Sequence, residues 1–348
     1  MRSKRFLHIG IALALAASAL SAQPSTGKPA AQPAVLSLEG DLTPIHDPSI
    51  AREGNNYYVF ATNKYQQKDV PMFCSADLHT FRFCGNVFDG VPAWALAEIP
   101  GARGIWAPDV SFVNGEFRLY YAVSTFGSNQ SDIGLIINKT LDPKSPEYHW
   151  VDRGKVFGSV KSDDFNAIDP NLAVDADGNQ WLSFGSFWSG VKMRRIDPET
   201  GKLSALDSTL YSIASRPRTE TQKGEIEAPF VIRHGQYYYL FVSYDRCCRG
   251  AQSTYRIMVG RAEKITGPYV DKDGKPMMEG GATELLAGNE RWRGPGGQSV
   301  LQDAQGAGPD LLIFHAYDGK EGRPFLQIST LVWENGWPRA GTLPGLTQ

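Results

Sequence analysis

Five similar units follow one another along this chain of 348 residues. Each unit joins a short run typical of a strand start to an aromatic strand about a dozen residues later, through a turn that contains glycine. The first runs are His46–Ile50, Trp106–Val110, Ile168–Leu172, Ile226–Phe230 and Gly297–Val300. Regular repetition of β patterns indicates one supersecondary unit copied around a ring. The sequence therefore predicts an all-β fold, a five-bladed β-propeller, in which equivalent positions of separate blades meet at one end of the axis.

The N-terminal residues predict export from the cell. Basic residues precede an apolar stretch, Ile9 to Leu20, that ends among small residues, as in a secretory signal peptide. This stretch is too short for a membrane anchor, and we expect no membrane partner. We expect residues 1–22 to be a signal peptide, 23–38 a disordered leader, and 39–348 one catalytic propeller domain. The protein is then secreted or periplasmic.

Charge and cysteine content restrict the partners further. The formal net charge is −2, and no basic patch argues for nucleic acid. Cys74 and Cys84 flank a hairpin-like turn, which allows either a disulfide across two strands or two buried thiols. Cys247 and Cys248 are adjacent, so that a vicinal disulfide and free thiols both remain open. Neither pair has the spacing of a zinc site.

Carboxylates recur in the first runs of four units, at intervals of about 60 residues. Asp47, Asp169 and Glu227 share one pattern, because a proline follows each directly or after one residue. A lone Asp before proline most often caps a turn, but three acids on one rim favour a catalytic cluster. Asp109 follows its proline, and we assign it a structural role. Glu225 shares a strand face with Glu227 and is the rival for its role.

Aromatic residues beside glycine and serine occur close to these acids, and we expect them at loop tips. They are Trp106, Phe126, Phe187 and Trp188. A ring face suits the C–H face of a sugar, and we expect Asn166 and Ser186 to bond sugar hydroxyls. The alternative is aromatic packing between blades. Carboxylates beside such rings in an exported chain indicate glycoside hydrolysis, where one acid protonates the departing oxygen and another carboxylate activates water or attacks the sugar.

Longer motifs carry a more specific signal. They are His46–Ile50, Trp106–Asp109, Asn166–Asn171, Trp181–Gly190, Glu227–Pro229 and Tyr244–Gly250. Together these motifs resemble the arabinanases of glycoside hydrolase family 43, and the resemblance runs from about Leu42 to Pro338. It implies a five-bladed propeller and inversion at the anomeric centre.

The resemblance also implies roles for single residues. Asp47 would be the general base, Glu227 the general acid, and Asp169 the residue that orients the acid and tunes its pKa. A cation on the axis, expected to be Ca²⁺, would be held through His315. Considered without the resemblance, His315 is a satisfied core histidine. Because Ca²⁺ prefers six to eight oxygen ligands, water would have to complete its shell.

The resulting hypothesis is a monomeric, endo-acting α-1,5-L-arabinanase whose partner is a polysaccharide, the arabinan of pectin. An exo-acting α-L-arabinofuranosidase or β-xylosidase is an alternative, because its acids would be the same. A non-catalytic carbohydrate-binding propeller would need the aromatic residues but not three placed acids. A sialidase is disfavoured, because no arginine triad is evident. The shape of the loops around the cleft separates endo from exo action.

Overall fold

The structure is a computed structural model that describes residues 32–62, 64–220, 223–303 and 308–345. Five β-sheets form this part of the chain. Within these ranges, four sheets have four strands each and the first has six. All neighbouring strands are antiparallel except one short parallel pair in the first sheet. The predicted all-β, five-bladed β-propeller is confirmed. The predicted signal peptide lies outside the described residues and stays a prediction.

Each blade is one continuous run of the sequence. Blade 1 contains β1 (Glu39–Gly40), β2 (His46–Glu53), β3 (Asn56–Thr62), β4 (Lys64–Tyr65), β5 (Lys68–Ser75) and β6 (Thr80–Phe88). Helix α1 (Ala93–Glu98) precedes blade 2, which contains β7 (Trp106–Val113), β8 (Glu116–Val123), β9 (Ser131–Asn138) and β10 (Val151–Ser159). Blade 3 contains β11 (Asn171–Val174), β12 (Gln180–Phe184), β13 (Val191–Ile196) and β14 (Tyr211–Ala214).

The last two blades follow the same order. Blade 4 contains β15 (Ile226–His234), β16 (Tyr237–Tyr244), β17 (Arg256–Ala262) and β18 (Thr283–Ala287), with 3₁₀ turns at Gly250–Gln252 and Met277–Glu279. Blade 5 contains β19 (Trp292–Leu301), β20 (Asp310–Asp318), β21 (Pro324–Glu334) and β22 (Trp337–Ala340). No helix among the described residues is long and apolar enough to cross a membrane.

The first long strand of each blade lies innermost. Strand β2 contacts β7 and β19, β11 contacts β7 and β15, and β15 contacts β19, which closes the ring. At the same place in each blade, one residue adopts a positive φ between 41° and 56°. These residues are Asp47, Ala107, Asp169, Ala228 and Gly297. In β2, β7, β15 and β19 this residue lies in a bulge, which bends the strand and interrupts its pairing at the axis.

Hydrophobic side chains fill the spaces between adjacent blades. Five clusters of buried residues occur among the described residues, one at each blade interface. Strand β8 is buried along almost its whole length, because the second strand of a blade packs against a neighbouring blade on each face. The outer strand β10 is largely exposed at its start. The second strand β8 is therefore buried on both faces, whereas the outer strand β10 is exposed at its start.

The two ends of the described chain meet in blade 5. Val35 pairs with Ser329, and the backbone N–H of Leu36 donates to Ile328 O at 2.8 Å. Residues assigned above to the leader therefore join blade 5, and the paired chain begins a few residues before position 39. Blade 1 carries a disulfide between Cys74 and Cys84, neighbouring strands β5 and β6, which resolves the choice left open by the sequence.

Candidate active site

The bulges of the innermost strands surround a narrow cavity of about 30 Å³ on the axis. Asp47 and Asp169 both line it, and each is the positive-φ residue of its blade. Glu227 immediately precedes the positive-φ residue Ala228, whereas Asp109 follows its counterpart Ala107 by two residues. Of the four recurring carboxylates, only Asp47 and Asp169 therefore occupy the same position in their blades. The bulge adds a residue to each strand, so that equal spacing in sequence does not guarantee equal register.

Asp47 is held on one of its two carboxylate oxygens. Thr62 donates its hydroxyl to Asp47 Oδ2 at 2.8 Å, and His46 Nδ1 lies 2.8 Å from the same oxygen. Thr62 is itself fixed, because its oxygen accepts the Ala107 N–H at 2.6 Å. Within the described residues no hydrogen bond reaches Oδ1, whose near neighbour is His315 Nδ1 at 3.7 Å. Oδ1 is therefore free to accept a proton.

These contacts keep Asp47 ionised. Burial alone would raise its pKa, but His46, His315 and the Thr62 hydroxyl favour the carboxylate and lower the pKa to about 2. Neither His46 nor Thr62 was singled out from the sequence. The adjacency of His46 to Asp47 was a usable signal for the first. No local pattern marks Thr62, which approaches through strand pairing with His46.

The surroundings of Glu227 favour its protonated form, in contrast to those of Asp47. Its side chain is buried, and the Ser186 hydroxyl donates to Oε2 at 2.5 Å. Burial raises the pKa of Glu227 to about 7, against the lowering effect of Ser186 and with a further increase from the charge of Asp47. The carboxyl group can therefore hold a proton at near-neutral pH. Ser186, predicted to bond a sugar hydroxyl, instead bonds Glu227 in this structure.

Asp169 bridges blades 3 and 4. Its Oδ2 accepts the backbone N–H of Ala228 at 3.1 Å, next to Glu227 in the chain. Burial and the charges of Glu227 and Asp47 raise the pKa of Asp169 well above its usual range. The contact with Ala228 ties Asp169 to the strand that carries Glu227. The arrangement fits the expected orienting role.

Asp109 and Glu225 are engaged elsewhere. Asp109 Oδ2 accepts the N–H of Leu172 at 2.8 Å, and Asn171 donates to Oδ1 at 3.2 Å, which agrees with its structural assignment. Glu225 pairs with Arg246 at 3.0 Å. Burial acts to raise the pKa of Glu225, but hydrogen bonds from the backbone and Arg246 lower it below its usual value. Glu225 is thus an ionised carboxylate, which favours Glu227 as the proton donor.

Aromatic side chains line a groove beside Asp47. A cavity of about 640 Å³ is lined by Thr62, Trp106 and Phe126, among others. A second cavity of about 450 Å³ shares Thr125 and Phe126 with the first and continues toward Lys161. Phe126 is 86% exposed, as a loop tip predicts. Trp106 instead begins β7 and is half-buried, because the first residue of an inner strand lies at the rim.

The remaining predicted sugar contacts lie around the Glu227 strand. Phe187 and Trp188 are half-buried in the loop after β12, and both have positive φ. The Phe187 N–H donates to Ile226 O at 2.8 Å, which fixes this loop against β15. Asn166 is buried, and its Oδ1 accepts the Ser131 hydroxyl at 2.7 Å. Its contact in this structure is thus between blades 2 and 3, and a contact with sugar stays a prediction.

His315 lies in β20 behind Asp47. Its side chain is fully buried and stacks on His46 with 3.8 Å between ring centroids. The Asp47 N–H donates to Nδ1 at 3.1 Å, whereas Nε2 has no hydrogen-bond partner among the described residues. Burial and His46 lower the pKa of His315 well below its usual value, so that the ring is neutral. His315 therefore matches the alternative of a satisfied core histidine at Nδ1 but not at Nε2.

The second cysteine pair lies near these rings. Cys247 and Cys248 form a vicinal disulfide in the loop after β16, and the described residues include no free cysteine. Cys248 has a φ of 64°, and its N–H donates to the Tyr317 hydroxyl at 2.9 Å. The sequence left the state of this pair open and gave no sign that it lies near the site.

Comparison with known proteins agrees with this geometry. The profile described as Glycosyl hydrolases family 43 matches residues 43–338. The extracellular endo-α-(1→5)-L-arabinanase 1 of Bacillus subtilis is 41% identical, covering 96% of this chain and 97% of its own length. The extracellular exo-α-(1→5)-L-arabinofuranosidase ArbA of Cellvibrio japonicus is 41% identical over 85% of this chain and 86% of its own.

A solved structure supports the same assignment. The GH43 endo-arabinanase from Bacillus licheniformis superposes with a TM-score of 0.80 at 45% identity, covering 87% of this chain and 99% of that one. The family profile begins before Asp47 and ends in β22, so that it includes Asp47, Asp169 and Glu227. This chain belongs to glycosyl hydrolase family 43.

Proposed function

We propose that the protein is an endo-acting α-1,5-L-arabinanase that hydrolyses arabinan with inversion. The observation that carries the proposal is the contrast between two carboxyl groups at one end of the axis. Asp47 has a pKa lowered to about 2, and Glu227 has one raised to about 7. Paired groups in opposite protonation states are the requirement for acid–base glycoside hydrolysis. The substrate is supported by relatives named as arabinanases.

Asp47 acts as the general base in this proposal. Its Oδ2 is occupied by donors from His46 and Thr62, which leaves Oδ1 to take a proton from water. The water oxygen then attacks the anomeric carbon from the face opposite the departing sugar. Inversion requires about 6.5–9.5 Å between the two carboxyl groups, so that the water fits between base and sugar.

Glu227 supplies the balancing proton. Because burial keeps it protonated, it donates to the glycosidic oxygen as the bond to the anomeric carbon breaks. Asp169 orients the start of β15, which carries Glu227, through the Ala228 N–H. When Asp169 is ionised, its negative charge opposes ionisation of Glu227. After one turnover Asp47 holds a proton and Glu227 has lost one, and exchange with water restores both.

The shape of the cleft favours endo action. The two cavities that share Thr125 and Phe126 form a groove along the rim of blade 2, where a polysaccharide can extend beyond the cleavage point. The exo alternative is supported by the Cellvibrio japonicus relative, named as an exo-acting arabinofuranosidase at the same 41% identity. Chromatography of early products from linear arabinan decides: mixed oligomers support endo action, and release of one short product from the start supports exo action.

The stereochemistry is tested separately. Proton NMR during the first turnovers should show the β-anomer of the new reducing end, because a single displacement inverts an α-linkage. First appearance of the α-anomer would mean a double displacement and would exclude the general-base role of Asp47. A wild-type protein without hydrolytic activity on any arabinan would overturn the proposed function itself.

A cation on the axis is part of the proposal. The buried, unpartnered Nε2 of His315 fits a ligand atom, and a Cβ at Gly297 would lie 2.3 Å from Asp47 Oδ1 and 2.9 Å from His315 Nδ1, so that glycine keeps this space open. His315 would hold Ca²⁺ through Nε2, with water as the other ligands. A cation on Nε2 would require the ring proton on Nδ1, so that the Asp47 N–H could no longer donate to Nδ1. The bound ion would supply positive charge beside the carboxylates.

Chelation tests this part. Treatment with EDTA followed by gel filtration should lower the melting temperature or the activity, calcium should restore it, and His315→Ala should respond to neither. If thorough chelation changes neither the melting temperature nor the activity of the wild type, His315 acts without a cation.

We also propose that the enzyme is exported and monomeric. Support for export is the N-terminal signal pattern together with the extracellular naming of the Bacillus subtilis and Cellvibrio japonicus relatives. N-terminal sequencing of protein collected outside the cytoplasm would locate the cleavage site. Light scattering would measure the mass in solution.

A further inference from the structure

A chain of hydrogen bonds leads from the vicinal disulfide to Asp47. The N–H of Cys248 donates to the Tyr317 hydroxyl at 2.9 Å, and this hydroxyl lies 2.6 Å from His46 Nε2. The other nitrogen of the same ring, Nδ1, lies 2.8 Å from Asp47 Oδ2. Three bonds thus connect the backbone beside a disulfide to the carboxylate that takes the proton from water.

The direction of these bonds follows from the donors available. The Tyr317 oxygen accepts the N–H of Cys248 and shares a hydrogen bond with His46 Nε2, so that one hydroxyl joins the loop to the ring. Because the ionised carboxylate of Asp47 can only accept, His46 Nδ1 donates to Oδ2. The ring is also held by stacking on His315. Tyr317 therefore holds the His46 ring in the orientation that bonds Asp47 Oδ2.

The same loop is attached to the strand of the acid. Arg246 donates to Glu225 Oε1 at 3.0 Å, and the Asp245 N–H donates to Glu225 O at 3.3 Å. Glu225 precedes Glu227 by two residues. A bond between adjacent side chains restricts the backbone at Cys248, which has the left-handed φ of 64°. One rigid loop therefore contacts the network of the base and the strand of the acid.

We propose that the vicinal disulfide Cys247–Cys248 and Tyr317 are positioning elements that fix His46 and thereby aim Asp47 Oδ1 at the water. The inference deepens the proposed function and rests on the base role of Asp47. Opening the disulfide releases the Cys248 N–H, so that the Tyr317 hydroxyl and the His46 ring are no longer fixed. The substrate groove is untouched, because neither cysteine lines it. The loss falls on kcat and leaves KM nearly unchanged.

A double-mutant cycle tests the connection. Tyr317→Phe keeps the ring and removes the hydroxyl, and Cys247→Ala/Cys248→Ala removes the disulfide. Each should lower kcat by on the order of tenfold, the scale of one hydrogen bond in a charged network, with KM within about twofold. The combined variant should lose little more than either alone, because both act through His46. Losses that multiply would overturn the proposal.

Reduction tests the disulfide without changing its residues. A Cys74→Ala/Cys84→Ala background retains only the vicinal bond, and treatment with a phosphine reductant should lower its kcat by the same factor. The matched control is Cys247→Ala/Cys248→Ala, which retains the blade 1 disulfide and should not respond. Thiol counting by mass spectrometry confirms opening. Full activity with both vicinal thiols free would contradict the proposal, even if the alanine variants failed to fold.

A spectroscopic measurement keeps this inference separate from the proposed function. Nitrogen NMR of histidine-labelled protein should show His46 with its proton on Nδ1 in the oxidised wild type. Tyr317→Phe and the reduced protein should show loss of that signal or a mixture of tautomers. An unchanged Nδ1–H signal in both would overturn the proposal whether or not arabinan is the substrate. Absence of arabinan hydrolysis with the expected tautomer change would instead overturn the proposed function alone.

Discussion

At the scale of single residues, the site separates carboxyl groups of similar intrinsic acidity into different states. Asp47 receives two donors on Oδ2, and its pKa falls to about 2. Glu227 receives one hydroxyl, and its pKa rises to about 7 because burial outweighs that bond. The difference is one of environment, since the model-peptide values of Asp and Glu differ by only about 0.4. A pH-rate profile with limbs near these values follows if these groups are base and acid.

Substitution at the acid gives the sharpest residue-scale prediction. Glu227→Gln should lower kcat by on the order of 10³-fold on natural arabinan, because the amide cannot protonate the departing oxygen. Glu225→Gln, just before strand β15, is the matched control, and its kcat should stay within a few-fold of wild type. Steady-state kinetics measures both. An inactive Glu225→Gln beside an active Glu227→Gln would reverse the assignment.

At the scale of elements, the loop between β12 and β13 controls the acid. Ser186 in this loop donates to Glu227 Oε2, and Phe187 N–H bonds the backbone of Ile226. The loop therefore contacts the Glu227 side chain through Ser186 and strand β15 through the backbone of Phe187. Ser189 lies in the same loop, but its hydroxyl has no hydrogen-bond partner within the described residues.

The different contacts of Ser186 and Ser189 predict that only Ser186 affects the pH dependence of kcat/KM. The Ser186 hydroxyl stabilises the carboxylate and lowers the pKa of Glu227, so that Ser186→Ala should raise it and move the basic limb of kcat/KM to higher pH. Ser189→Ala should leave the profile in place. Rates on arabinan between about pH 5 and 9, which bracket the basic limb near the Glu227 pKa of about 7, provide the measurement. A basic limb that moves to lower pH in Ser186→Ala would show that another group sets it.

At the scale of the whole molecule, polar side chains two residues after the positive-φ positions connect successive blades. Ser49 Oγ accepts Val110 N–H at 3.0 Å, Asp109 Oδ2 accepts Leu172 N–H at 2.8 Å, and Asn171 Oδ1 accepts Val231 N–H at 2.8 Å. Ser299 joins blade 5 to blade 1 by donating to Pro48 O at 2.8 Å. These bonds fix the angular relation of the blades, and with it the distances between axial carboxyl groups.

Stability measurements test these hydrogen bonds between blades. Asp109→Ala should lower the free energy of unfolding by about 1–3 kcal/mol, because it leaves the buried Leu172 N–H unpaired. Ser49→Ala, at the same position of blade 1, should cost a similar or smaller amount by the same mechanism. Denaturant unfolding supplies the values. A catalytic role for Asp109 would instead appear as a loss of kcat in protein that is still fully folded under assay conditions.

The sequence determined much of the architecture and the types of residue at the site. Repeated strand–turn–strand units predict a propeller, because antiparallel sheets that each need to bury two faces can stack around an axis. Since innermost strands share one end, Asp47 and Asp169 were predictable as neighbours despite their separation in sequence. The Ser and Gly around Phe126 likewise predicted its exposure, a local property of the loop.

Only the tertiary structure decided how these residues are engaged. The bulges shift Glu227 and Asp109 out of the register of Asp47, and a register shift is settled by pairing with a distant strand. Thr62 and Tyr317 reach the site from second strands, and Ser186 reaches it from another blade. Side-chain contacts and pKa values depend on distances of a few ångströms between such segments. Residue order along one strand fixes which groups exist, whereas packing between blades fixes which groups meet.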